Sequence, residues 1–124
     1  TADLVGKTVV AEAGSAGETT IQEDENLAQA DYVSKSVQTD CLMEVAAGTA
    51  DAAVLDLTLA SAMIGEGTDY ANLKMVDELN VEEYGAAFRK GSDVAAAVDT
   101  AFDELKADGT MGALAEKYGL TLAE

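Results

Sequence analysis

The sequence predicts an α/β protein: a layered lobe whose mainly parallel sheet is flanked by helices, followed by C-terminal helices. Three observations predict it. Short apolar runs of strand length alternate with segments of helical period between residues 7 and 79. Glycines and capping residues punctuate those segments, since the chain has 11 glycines and no proline. The 124 residues are 48% hydrophobic, which supports a packed core despite a heavy charge load.

The elements follow in order. Lys7-Thr8-Val9-Val10-Ala11-Glu12-Ala13 reads as the first strand and ends at Gly14. Ser15 stands where it caps a helix reaching to about Glu25, and Glu18 follows at capping-box spacing. Residues 31–37 read as a second strand, with Tyr32, Val33 and Val37 as its apolar positions. Residues 39–47 read as a helix capped by Thr39 and stopped by Gly48. Asp51-Ala52-Ala53-Val54-Leu55 fits a strand buried on both faces of a parallel sheet. Residues 57–64 form another helix, ended by Gly65-Glu66-Gly67, and residues 73–79 a strand.

The texture changes near Asn80, which divides the chain into an α/β lobe at 1–80 and a C-terminal part at 81–124. Tyr84-Gly85-Ala86-Ala87-Phe88 reads as a strand. Ser92 and Asp93 are caps for a long helix over 94–106, with Val94, Ala97, Val98, Ala101, Phe102 and Leu105 on its apolar face. Asp108-Gly109-Thr110 is a turn, and a last helix over 111–118 stops at Gly119.

Composition excludes several function classes. The net charge is −17, from 24 acidic and 7 basic residues. Nucleic acid and anionic membrane both bind through positive charge, so neither is an expected partner. The acidity serves solubility, with attraction of a cationic ligand as the alternative. There is no histidine, so no Ser-His-Asp or Cys-His site exists within the chain, and no histidine-based zinc site. Cys41 is the one cysteine, so it makes no intrachain disulfide. Leu42, Met43 and Val45 beside it imply an apolar helix face and a buried, inert thiol. No apolar run approaches the ~20 residues that span a bilayer. No secretion signal opens the chain, and Thr1-Ala2-Asp3-Leu4 reads as the middle of a longer protein.

Two strand ends carry candidate chemistry. Gly14-Ser15-Ala16-Gly17 lies where a strand hands over to a helix. The first helical amides lack intrahelical partners and point outward at the positive dipole end, and small residues let an anion approach them. The alternative is an ordinary turn capped by Ser15. No P-loop or dinucleotide fingerprint is present. Asp56 directly follows the third strand, where open α/β sheets bind ligands. It is placed to pair with an ammonium group or to cap the next helix. An anion seat and a cation seat on one sheet edge suit a zwitterion better than a phosphate.

These segments resemble a known family. Asp3-Leu4-Val5-Gly6-Lys7-Thr8-Val9 with Glu12-Ala13-Gly14-Ser15-Ala16-Gly17-Glu18 resembles the opening of the second lobe of polar amino-acid-binding proteins of ABC importers, the type II periplasmic solute-binding proteins. Ala47-Gly48-Thr49-Ala50-Asp51-Ala52-Ala53-Val54-Leu55-Asp56 resembles their third-strand segment, and Glu83-Tyr84-Gly85-Ala86-Ala87-Phe88-Arg89-Lys90-Gly91-Ser92 their return to the first lobe. Leu105-Lys106-Ala107-Asp108-Gly109-Thr110 and Glu116-Lys117-Tyr118-Gly119 resemble their last helices. The resemblance covers nearly the whole chain in order.

It implies two lobes that close on a ligand. The Gly14–Gly17 turn would hold an amino acid's α-carboxylate and Asp56 its α-ammonium, with no cofactor, no metal and no catalysis. It implies an extracytoplasmic protein, periplasmic or lipid-anchored at the cell surface, that delivers to an ABC permease in the membrane. The family often has a hydroxyl residue where Ala16 stands. The first lobe's main part, with its carboxylate-binding arginine and its aromatic residues, is not in these 124 residues. Residues 81–124 would belong to that lobe, so the expectation is a domain-swapped homodimer or a piece of a longer protein. The alternatives on this scaffold are a receptor's ligand-sensing domain and an enzyme resembling cyclohexadienyl dehydratase. For the enzyme, Glu18 is the nearby acid, and its capping-box role accounts for it.

Overall fold

Val9, Val10 and Ala11 are buried on both faces of one strand, β1 (Thr8–Glu12), so β1 must lie at the centre of a covered sheet. The computed structural model describes residues 1–123 and places β1 there. β2 (Asp31–Lys35) and β3 (Ala52–Ala53) pair with it on either side, both parallel, in the order β2-β1-β3. Val9 stands opposite Tyr32 and Ala52, and Val10 opposite Val33 and Ala53. The short β3 is extended by Asp51 N–H donating to Thr8 O and Val54 N–H donating to Val10 O, each at 2.9 Å.

Alternation along β1 builds two cores. Val9 and Ala11 pack with Ile21 and Leu27 on one face, backed by Leu4, Ala30, Tyr32, Ala52 and Val54. Val10 packs with Cys41 and Ala50 on the other, backed by Val45, Ala53 and Leu55. Ile21 lies on α1 (Ala16–Glu23), and Cys41 and Val45 lie on α2 (Gln38–Ala47). The two crossover helices therefore cover opposite faces of the sheet, which is the layered α/β lobe expected.

The local chemistry explains most boundaries. α1 ends earlier than expected, because the Asp24 carboxylate accepts from Asn26 N–H and Leu27 N–H and turns the chain into a 3-10 helix at Leu27–Gln29. β2 also ends earlier, at Lys35 rather than residue 37, and Val37 instead caps α2. Thr39 is not the cap: the helix begins one residue before it, and Val37 offers no side-chain oxygen. Gly48 does stop α2. Its φ is +76°, and Gly48 N–H and Thr49 N–H turn back onto Val45 O and Glu44 O. α3 (Leu57–Met63) follows Asp56.

Two expected strands do not form. Residues 73–79 and 84–88 carry no ladder hydrogen bonds, and among the described residues no strand lies beside them. A strand is stabilised by its partner, and without one their apolar residues stay largely exposed: Val76 is 78% exposed and Tyr84 69%.

The chain divides into two compact units, Thr1–Asn80 and the residues from Val81 onward. The second holds α4 (Val94–Ala107) and α5 (Thr110–Tyr118). Ser92 Oγ accepts from Val94 N–H at the start of α4, where Asp93 makes no side-chain cap. Gly109, at φ +86°, makes the turn between the helices, and Gly119, at φ +67°, stops α5. Among the described residues, no helix is long and apolar enough to cross a membrane.

Candidate ligand-binding site

The β2-β1-β3 order creates a reversal. From β1 the chain crosses by α1 to β2 on one side, then returns by α2 to β3 on the other. At the carboxyl ends of β1 and β3 the two connections diverge, and that is where open α/β sheets leave a crevice. The Gly14–Gly17 turn follows β1, and Val54, Leu55 and Asp56 follow β3. The topology thus brings both sequence candidates to one sheet edge, at the switch point.

They approach closely. A Cβ on Gly17 would lie 2.8 Å from Val54 O and 3.3 Å from Ser15 Oγ. Hydrogen at position 17 is what lets the first turn of α1 lie against the end of β3.

The turn's polar groups divide into committed and open. Gly14, at φ +73°, donates its N–H to Glu18 Oε2 at 2.6 Å. Ser15 N–H donates to Glu12 O at 3.2 Å, and Ser15 Oγ accepts from Glu18 N–H at 3.2 Å. Thr19 N–H begins the helical ladder on Ser15 O. Among the described residues, Ala16 N–H and Gly17 N–H have no acceptor. The donors left to an incoming oxygen are therefore these two amides and the Ser15 hydroxyl hydrogen. Gly14 N–H is already committed to Glu18, so Gly14 supplies the turn's positive φ rather than a donor to a ligand.

Asp56 does what its cap reading anticipated: Oδ1 accepts from Leu59 N–H at 2.8 Å. Its own N–H donates to Gln38 Oε1 at 2.9 Å, which ties the strand end to the first turn of α2. A capping carboxylate keeps its negative charge, so the cap is compatible with attraction of a cation.

Two contributors were not legible as such. Tyr32 reads in the sequence only as an apolar strand position. Its hydroxyl donates to Glu18 Oε1 at 3.0 Å, so both Glu18 oxygens are engaged. Burial, then the hydrogen bond to Glu18 and its charge, push the Tyr32 hydroxyl pKa up to about 12. The available signal was register: alternation puts Tyr32 on the β1 face that α1 covers. Gln38 had no signal, because its role depends on α2 starting before Thr39.

The rest of the polar surface is separate. Lys35 pairs with Glu44, which also accepts from Thr49 Oγ1. The Lys35 hydrogen bond, then that of Thr49, hold the Glu44 carboxyl below its usual range. Two open hollows, one beside Tyr70 and one beside Lys35 and Glu44, include neither the Gly14–Gly17 turn nor Asp56. No family model matches the chain, and no curated protein matches it.

Proposed function

We propose that the chain is the ligand-gripping lobe of an extracytoplasmic substrate-binding protein, which captures a free amino acid for an ABC importer and passes it to the membrane permease. The observation that carries this is the convergence of the Gly14–Gly17 turn and Asp56 on the switch-point edge. In the proposal, the α-carboxylate docks on Ala16 N–H, Gly17 N–H and the Ser15 hydroxyl, at the positive end of α1. Asp56 attracts the α-ammonium. The lobe does no chemistry: its work is to bind more tightly in the closed state than in the open one. The engagement of both Glu18 oxygens supports binding over catalysis, since a general acid needs its carboxyl aimed at a substrate.

Backbone amide shifts of isotopically labelled chain, titrated with pooled L-amino acids, test the reading. Shifts centred on Ser15, Ala16, Gly17 and Asp56 are expected, with a Kd near about 1 mM, or roughly −4 kcal/mol. Unmoved amides at about ten times that concentration would sink the proposal for this chain.

A further inference from the structure

We propose that Glu18 is a positioning residue for the amino-acid seat, a strut that fixes the Gly14–Gly17 turn against the sheet by holding Gly14 N–H with one oxygen and the Tyr32 hydroxyl with the other. The inference rests on the seat proposed above. A capping-box glutamate reaches back to the amide of its own cap residue and stays within its helix. Glu18 does something different. It reaches one residue further, to Gly14, and its second oxygen leaves the helix for a side chain on β2. A bond to a neighbouring strand adds nothing to capping. It sets where the turn stands relative to the sheet edge.

Ser15 N–H closes the turn on Glu12 O and Ala13 N–H is held by Lys35 O, and Glu18 adds the restraint at Gly14 itself. Gly14 has no side chain, and a Cβ built on it would meet nothing within 4 Å. Its φ of +73° is accessible to glycine without cost, but so are many others. The hydrogen bond to Glu18 therefore narrows the conformation that the Ser15–Glu12 bond leaves open. Tyr32 in turn anchors Glu18, because its ring packs on the core of Val9, Ala11, Ile21 and Leu27. The chain of restraint runs from that core through Tyr32 and Glu18 to Gly14, and so to the direction of Ala16 N–H and Gly17 N–H.

Three variants separate a strut from a cap and from a charge. Glutamine at 18 keeps both links, its carbonyl accepting from Gly14 N–H and its amide donating to the Tyr32 oxygen, but carries no charge. Alanine at 18 breaks both links. Tyr32→Phe breaks one and keeps the ring in the core. The probe is the L-amino acid that wild-type chain takes most tightly from the pool, with Kd read by amide shifts below the melting point of every variant. Glu18→Gln should bind like wild type, while Glu18→Ala and Tyr32→Phe should bind up to about tenfold more weakly, the order of one hydrogen bond. The Gly14 amide should exchange faster with solvent in both weakened variants while α1 keeps its helical signal. Wild-type affinity in Glu18→Ala and Tyr32→Phe overturns the strut and leaves the seat standing. Equal weakening in Glu18→Gln and Glu18→Ala overturns it too, in favour of charge. No binding by wild type removes the seat itself, and the strut's role with it.

Discussion

At position 17, hydrogen is the largest side chain that the first turn of α1 accommodates. A methyl group there meets the Val54 carbonyl, which belongs to the backbone and has little room to withdraw. Gly17→Ala should destabilise the chain by about 1–3 kcal/mol, the usual range for overpacking, and urea denaturation reads it. An unchanged midpoint would mean that the end of β3 yields. Asp56 allows a cleaner separation of roles. Asparagine caps helices about as well as aspartate, so Asp56→Asn should change stability by only a few tenths of a kcal/mol. It should nevertheless weaken amino-acid binding, because the charge for the ammonium is gone. Tyr32 gives a pH signature. Its folded pKa, about 12, lies above the ordinary tyrosine value, so the folded state favours the neutral phenol. That stabilisation is complete below pH ~10 and is lost as pH rises from there toward the folded value. Alkaline melting curves of wild type and Tyr32→Phe should converge across that window, since the variant has no phenol to ionise.

At the scale of elements, capping residues were the most legible part of the chain. Ser15, Asp56, Gly48 and Gly119 act at the ends where the sequence placed them, because capping depends on a few adjacent atoms. Gly48 carries the clearest consequence. At φ +76°, any L side chain strains the end of α2, and Gly48→Ala should cost about 1–2 kcal/mol by chemical denaturation. The strands were less legible. Residues 8–12, 31–35 and 52–53 form strands because they find one another, whereas the equally apolar 73–79 does not. Local composition is similar in both cases, so composition alone does not distinguish them. The partner does.

Across the whole molecule, apolar burial is uneven. The first unit fully buries Ile21, Leu27, Leu42, Val9, Val10 and Cys41. In the second, among the described residues, Ala115 alone is buried, and Phe102, Leu105, Leu114 and Tyr118 are exposed. Helices of this length are marginal in water without a packed face. Native-state hydrogen exchange should therefore show strong protection in β1 and weak protection in α4 and α5. Equal protection would mean that the second unit finds a cover. Net charge acts on the same scale. At −17, self-repulsion opposes compaction, and raising salt from about 10 mM to about 500 mM shortens the Debye length from ~30 Å to under ~5 Å. The melting temperature should rise across that range.

The sequence by itself determined the α/β class, the succession of strands and helices up to α3, and the caps at Ser15, Asp56, Gly48 and Gly119, though not the N-cap of α2, because periodicity and capping are local properties of neighbouring residues. It also bounded the chemistry, since a chain without histidine and with one cysteine has few catalytic constellations open to it. Only the tertiary structure decided the strand order, and with it the switch point that brings the Gly14–Gly17 turn and Asp56 to one edge. It alone decided that Glu18 reaches Tyr32 and that residues 73–79 and 84–88 form no strand. These are contacts between segments far apart in sequence, and their free energy exists only once the chain has closed the loops between them.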